Sequence, residues 1–379
     1  MVALTLVAVV TAAVVVARPW HAAAPVLAAP RTPDVQRAVA VDFGVVTDPA
    51  TDWAALSEHL DRAGATSVDL NAGRVEFTAF DWDAHPDAAA EPGTDHLAHA
   101  ARALRTGADG RVRDIGLIVD AYVPRWIVQD PSVAGVAADG TRAVYTASAT
   151  QLARGEVGER LVAYVAALGE RYRPGQIAVT ELFLDTFSFG DDDLELFREM
   201  TGEADWPRTA DGTPDEGSEL IGTWRSEVLA GLLGRMRAAL DALPDGRGTD
   251  IALAADARID WDDPARGVPV AGQDYRILLQ AADRLVLWAY LFGEHAPADL
   301  ERVTADLAAA GYDMSRFTMS VGLWAPTSVD PPGRLSSADL GQAVRDATTH
   351  GVADVAVTPL SLMTDQDWDV LAAVWGPEA

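Results

Sequence analysis

Eight short apolar runs divide the chain at near-regular intervals, at residues 38–46, 67–72, 115–121, 177–187, 251–259, 284–292, 317–324 and 352–360. Each is bounded by Gly, Pro or charged residues, the pattern of strands covered on both faces. Between them lie amphipathic stretches at 53–63, 97–104, 157–172, 226–243, 299–310 and 337–350. Strands alternating with helices at this spacing predict βαβ units and a parallel sheet. Links from helix back to strand are brief, whereas links from strand to helix are long at 76–95, 122–156, 188–222, 260–274 and 325–334. A (β/α)8 TIM barrel carries its elaborations at the C-terminal ends of its strands, so the asymmetry predicts that α/β fold, with a doubly wound open sheet as the alternative. The Gly-rich fingerprint that a nucleotide-binding open sheet carries after its first strand is missing.

Polar groups gather at the ends of the runs. In the fourth, Val179, Glu181, Phe183, Asp185 and Phe187 alternate, which as a strand sets Glu181 and Asp185 on one face about 13 Å apart. Carboxylates inside a barrel are costly unless paired or used, which makes both candidates for chemistry. The structural alternative buries Glu181 against Arg258. The third run ends in Asp120, a second candidate acid or a loop anchor, and Tyr122, Arg125 and Trp126 follow it. Asp256, Arg258 and Asp260 alternate in the fifth run as an ion-pair ladder that orients the acids, with Trp261 just beyond. Asp69 and Asn71 share a face of the second run, where Asn71 suits a substrate hydroxyl or a turn. Aromatic residues crowd the same end of the runs: Phe80, Trp82, Tyr122, Trp126, Phe187, Phe189, Trp261, Trp288, Tyr290, Phe292 and Trp324. Their flat faces suit the C–H faces of sugar rings. The candidate catalytic residues are therefore Asp185, Glu181 and Asp120. Candidate substrate contacts are Asn71, Tyr122, Trp126, Phe187, Asp256, Arg258, Trp261, Trp288, Tyr290 and Trp324.

Composition narrows the chemistry. The chain of 379 residues carries a formal charge of −28, which repels nucleic acid and anionic lipid and favours neutral or cationic partners. It has no Cys, and all 29 of its basic residues are Arg. That excludes thiol nucleophiles and disulfides, and with them Schiff-base aldolases, pyridoxal-phosphate enzymes and P-loop hydrolases, which need a Lys amine. The seven His are scattered, with only His295, beside Glu294, near the expected mouth. The acidic run Asp191 to Asp193 reads as solvated or capping, so neither a metal site nor a cofactor is expected. Residues 2–17 are apolar and precede Arg18 and an Ala/Pro-rich stretch, so 1–33 reads as a signal peptide or signal anchor with a linker. A single barrel domain at 34–379 follows. The expectation is a secreted or surface-anchored bacterial protein whose membrane contact is limited to that segment.

From residue 123 to 189 the order of features resembles the bacterial glycoside-hydrolase-like barrels of the family-10-like group. It is also similar to the hydrolase domain that acts on poly-N-acetylglucosamine in biofilm export systems. There a Pro-x-Trp follows the third strand, then an Asp-Gly loop, a helix ending in Tyr, and a strand running into Leu-Asp-Asp-Tyr-Phe. Here those places hold Pro124 and Trp126, Asp139 and Gly140, Arg171 and Tyr172, and Leu184, Asp185, Thr186 and Phe187. The resemblance implies that Asp185 matches the first, functional, Asp, and that Thr186 replaces the second. Glu181 or Asp120 is then the partner in a carboxylate pair that hydrolyses a polysaccharide, one acid protonated and the other ionised. The alternative is a glycan-binding relative that keeps the aromatic cleft without the reaction.

Overall fold

A computed structural model describes residues 26–30, 34–293, 295–324 and 333–376 of the chain. The apolar stretch 2–17, Glu294 and most of the connection 325–334 lie outside the described residues. Eight parallel strands close into a barrel: β1 (Arg37–Val41), β2 (Ser67–Arg74), β3 (Asp114–Asp120), β4 (Gln176–Thr180), β5 (Ala252–Arg258), β6 (Arg284–Ala289), β7 (Phe317–Gly322) and β8 (Asp354–Thr358). Closure is explicit in the register, because β1 pairs with both β2 and β8. The open sheet is thereby excluded.

Each strand is followed by a helix of the outer ring: α1 (Trp53–Ala63), α2 (His96–Leu104), α3 (Glu156–Tyr172), α4 (Glu219–Asp241), α5 (Tyr275–Leu278), α6 (Asp299–Ala309), α7 (Ser337–Ala347) and α8 (Asp365–Trp375). Returns to the sheet are tight. Gly64, with φ +74°, caps α1 only three residues before β2 begins. The elaborations lie on the opposite face: after β3, a helix at Pro124–Gln129 and a hairpin of Ala134–Val136 with Arg142–Ala147; after β4, a helix at Asp191–Thr201. No helix among the described residues is long and apolar enough to cross a membrane.

The apolar residues sort into two unequal sets. Outward-facing strand residues such as Val39, Leu70, Leu117, Val179, Leu253, Leu287 and Val321 join the helices in one continuous core, each contributing roughly 1.5–3 kcal/mol. Inside the barrel, among the described residues, only Ala178, Ala254 and Val286 form an apolar cluster. Small side chains at that level leave room above them, and polar residues fill the rest.

Three runs end as strands at least three residues earlier than their apolar length suggests. The first stops at Val41 and continues as a helical turn, Phe43–Thr47; the sixth stops at Ala289, so Tyr290 and Phe292 lie beyond it. The fourth stops at Thr180, and this correction matters most for the site. Apolar composition persists past the strand because the departing loop is itself buried: Leu182 and Leu184 are 3 % and 0 % exposed. A buried loop and a buried strand carry the same residue types.

Candidate active site

A cavity of about 230 Å³ occupies the C-terminal half of the barrel. Alternation within the strands builds it: Ala40, Asp69 and Asn71, Ile118 and Asp120, Ala178 and Thr180, Asp256, Val286 and Trp288, Thr318 and Ser320, and Ala356 and Thr358 all face inward. Residues just past the strand ends, Asp42, Glu181, Tyr290 and Trp324, complete it. Among the described residues its lining includes five carboxyl groups, from Asp42, Asp69, Asp120, Glu181 and Asp256, and no basic residue.

Glu181 reaches this cavity through its backbone. Val179 faces the outer core, so a strand continued to 181 would point Glu181 the same way, toward the helices. Instead Glu181 adopts φ +57°, a left-handed conformation that non-glycine residues take rarely. The chain turns at that residue, and the side chain joins Ala178 and Thr180 inside. Asp185, with φ +45°, is the second left-handed residue of the same segment. It does not line the cavity. Its carboxylate pairs with the Arg258 guanidinium, which also lies 4.3 Å from the centre of the Phe183 ring. Thus Arg258 holds Asp185, not Glu181, and the shared strand face of Glu181 and Asp185 does not exist.

Asp120 ends β3 and pairs with the Arg74 guanidinium from the neighbouring strand, while its Oδ1 accepts a hydrogen bond from the Tyr122 amide at 2.8 Å. Arg74 is in place because β2 bulges between Asn71 and Gly73. Asn71 closes that bulge by accepting from the Gly73 amide at 2.9 Å, so it serves the turn and the cavity at once. Gly73 is required there: its φ is +101°, and a Cβ would sit 2.3 Å from the Phe77 carbonyl oxygen.

Burial dominates the electrostatics. It pushes the Asp69 carboxyl up to about 7, helped by the nearby Asp114 and Asp256. It pushes Asp256 up to about 7 as well, against hydrogen bonds from the Trp288 indole at 3.0 Å and from the Thr180 hydroxyl. Glu181 is raised by burial, opposed by a hydrogen bond from the Tyr122 hydroxyl; Asp120 adds to the rise, and Arg258 and Arg74 oppose it. Asp120 is itself raised by burial, with Arg74 as the main opposing influence. Carboxyl groups held protonated toward neutral pH can donate a proton, and a carboxylate beside an Arg can take one.

Of the residues singled out in the sequence, the cavity brings together Asn71, Asp120, Glu181, Asp256, Trp288, Tyr290 and Trp324. Trp288 and Tyr290 stack at 5.4 Å, and Trp324 meets Tyr290 edge-on at 5.1 Å. Tyr122 touches the site through Glu181. The others lie apart. Trp126 borders a separate side pocket with Glu76 and Arg160, and Trp261 stacks on His295 at 4.1 Å. Phe187 lies beyond the Glu181 turn, beside Gly135 of the hairpin. Asp260 lies past β5 and accepts from the Asp262 amide in a turn, so it is no part of an Asp256–Arg258–Asp260 ladder. Sequence reasoning left Asp42 and Ser320 out of the site and noted Asp69 without choosing it. Period-two alternation from Ala38 and Ala40 puts Asp42 inward, a signal available from the sequence alone.

Among known proteins, no family model matches the chain, and no curated protein does. Solved structures do. The PgaB (BpsB) glycoside hydrolase domain from Bordetella bronchiseptica superposes with a TM-score of 0.65 at 15 % identity, over 91 % of this chain and 100 % of that one. The catalytic domain of the β-amylase from Paenibacillus polymyxa gives 0.57 at 12 % identity, over 88 % and 94 %. The β-galactosidase from the psychrophilic Marinomonas ef1 gives 0.65 at 12 %, over 90 % of this chain and 59 % of that one. The chain therefore shares the TIM-barrel fold of glycoside hydrolases.

Proposed function

We propose that the protein is an exported glycoside hydrolase that cleaves a polysaccharide at the mouth of this barrel. Glu181 is the general acid and Asp120 the carboxylate partner. The observation that carries the reading is Glu181 itself, turned into an acidic cavity by a left-handed residue and raised by burial in the direction an acid catalyst needs. Backbone strain of this kind, on the order of 1–3 kcal/mol, concentrates at functional sites. Asp185 and Arg258, half-exposed and paired, stand beside the Glu181 turn and orient substrate hydroxyls. Trp288, Tyr290 and Trp324 supply the apolar wall against which a sugar ring packs. The lining without basic residues suits neutral sugars or sugars bearing an amine, in line with the net charge. Export rests on the apolar residues 2–17.

The test is a screen of purified protein against bacterial and plant polysaccharides, scored by release of reducing ends. Hydrolysis of at least one glycan that Glu181→Gln abolishes is the expected result. Hydrolysis that survives in Glu181→Gln overturns the assignment, and binding without hydrolysis identifies a glycan-binding protein instead.

A further inference from the structure

Two left-handed residues within five positions, Glu181 and Asp185, persist only where the surroundings over-determine them. Strand β4 cannot supply that restraint, because its pairing with β5 ends at Val179 and Ala255. Beyond this point β5 continues to Arg258, and among the described residues no strand is paired with it on the β4 side. A side chain takes the vacant place. Gln273 is fully buried, its Nε2 donates to the Asp256 carbonyl at 3.2 Å, and its Oε1 accepts from the Arg258 amide at 3.0 Å. Those are the two bonds that a residue of a parallel partner strand would make with a neighbour across the ladder. The same Nε2 donates to the Leu182 carbonyl at 3.1 Å, and next to it the Leu184 amide donates to the Ala271 carbonyl at 2.9 Å. At the far end of the segment the buried Arg225 of α4 donates to the Ser188 hydroxyl and to the Val270 carbonyl, tying the same two loops together.

We infer that Gln273 is a positioning residue, its side-chain amide standing in for the missing peptide unit of β4. It completes the edge of β5 while fixing the turn that swings Glu181 into the cavity. Without it the part-buried Asp256 carbonyl and Arg258 amide lose their partner, and the chain gains freedom to extend β4 with Glu181 facing the outer core. The catalytic part of this inference rests on the hydrolase reading; the structural part does not.

Gln273→Met keeps the volume and removes all three hydrogen bonds. The expected result is amide hydrogen exchange at least about tenfold faster in peptides covering 181–188, with exchange unchanged in peptides from β1, β2 and β7. On a glycan that the wild type hydrolyses, kcat falls by about tenfold or more while KM stays within about twofold. Gln273→Glu gives a second handle should Gln273→Met not fold, because a protonated carboxylic acid restores one donor and one acceptor. Its exchange at 181–188 is expected to approach the wild-type rate as the pH is lowered. Exchange at 181–188 that does not change, or that rises equally throughout the barrel, overturns the inference, as does local loosening with kcat intact. If the wild type hydrolyses no glycan, the hydrolase reading fails on its own and the exchange measurement still decides whether Gln273 holds the turn.

Discussion

The Tyr122 hydroxyl donates a hydrogen bond to the Glu181 carboxylate, joining the residue two past the end of β3 to the residue that follows β4. A donor to a carboxylate favours its charged form, so this bond lowers the Glu181 pKa against the upward push of burial. In Tyr122→Phe only burial and the neighbouring charges remain, and the pKa rises further. With Glu181 as the general acid, the basic limb of the pH–rate profile is expected to move to higher pH, with kcat reduced by no more than about tenfold. The check is a profile of kcat/KM from pH 4 to 9 for both proteins. A limb that stays put or moves down removes Glu181 from the acid role.

Asp69 sits at the base of the same cavity, and among the described residues its one side-chain hydrogen bond, from the Gln176 amide, is long at 3.5 Å. Its folded-state pKa of about 7 lies above the unfolded value near 3.8, so the folded protein holds a proton that the unfolded chain releases. Stability contributed by this group is therefore fully present below about pH 4 and lost as the pH rises toward 7. Asp69→Asn removes the titration. At pH 8 the variant is expected to be more stable than the wild type, by on the order of a few kcal/mol, and at pH 3.5 the difference closes. Urea denaturation at the two pH values reads this directly, and parallel pH dependence in the two proteins contradicts it.

How much of this was legible beforehand divides along one physical line. The barrel was readable because eight apolar runs and a consistent loop asymmetry are global signals, and α1 is matched residue for residue at Trp53–Ala63. Asp120, Asp256 and Trp288 were readable because they sit inside strands whose period of two holds to the end. Glu181 lines the cavity, but not on the strand face that alternation assigns to it, because a left-handed glutamate leaves no mark in composition or periodicity. The pairing of Asp185 with Arg258 depends on that turn and was hidden with it. Gln273 opens a two-residue strand, Gln273–Asp274, of a short hairpin outside the barrel and acts by side chain on backbone, a contact that no local pattern announces.

Gly73 tests whether the β2 bulge sets the site. Gly73→Ala combines φ +101° with a Cβ that would lie 2.3 Å from the Phe77 carbonyl oxygen and 2.8 Å from the Phe43 ring. Both effects are unfavourable, and the expected loss is about 2 kcal/mol or more by chemical denaturation. Asn71 and Arg74 flank the bulge, so turnover is expected to fall beyond what the lost stability explains. A variant that unfolds at the wild-type denaturant concentration contradicts this account of the bulge.

Among the described residues Arg74 is the one guanidinium in contact with Asp120, and the two side chains are 19 % and 14 % exposed. Breaking a buried pair from one side leaves the other charge without its partner, which costs about 3–5 kcal/mol when burial is complete. With this residual exposure Arg74→Met is expected to cost on the order of 2–3 kcal/mol at pH 7. The loss shrinks as the pH falls, because the abandoned Asp120, already raised by burial, takes up a proton and no longer needs the cation. Adding Asp120→Asn to Arg74→Met removes the unpaired charge and is expected to restore most of the stability at pH 7 without restoring hydrolysis. Denaturation curves for the two single variants and the double variant, with turnover measured on the same samples, separate the two roles of Asp120. If the double variant regains turnover together with stability, Asp120 serves the fold alone and the carboxylate partner of Glu181 must be sought among the other acids of the cavity, Asp42, Asp69 and Asp256.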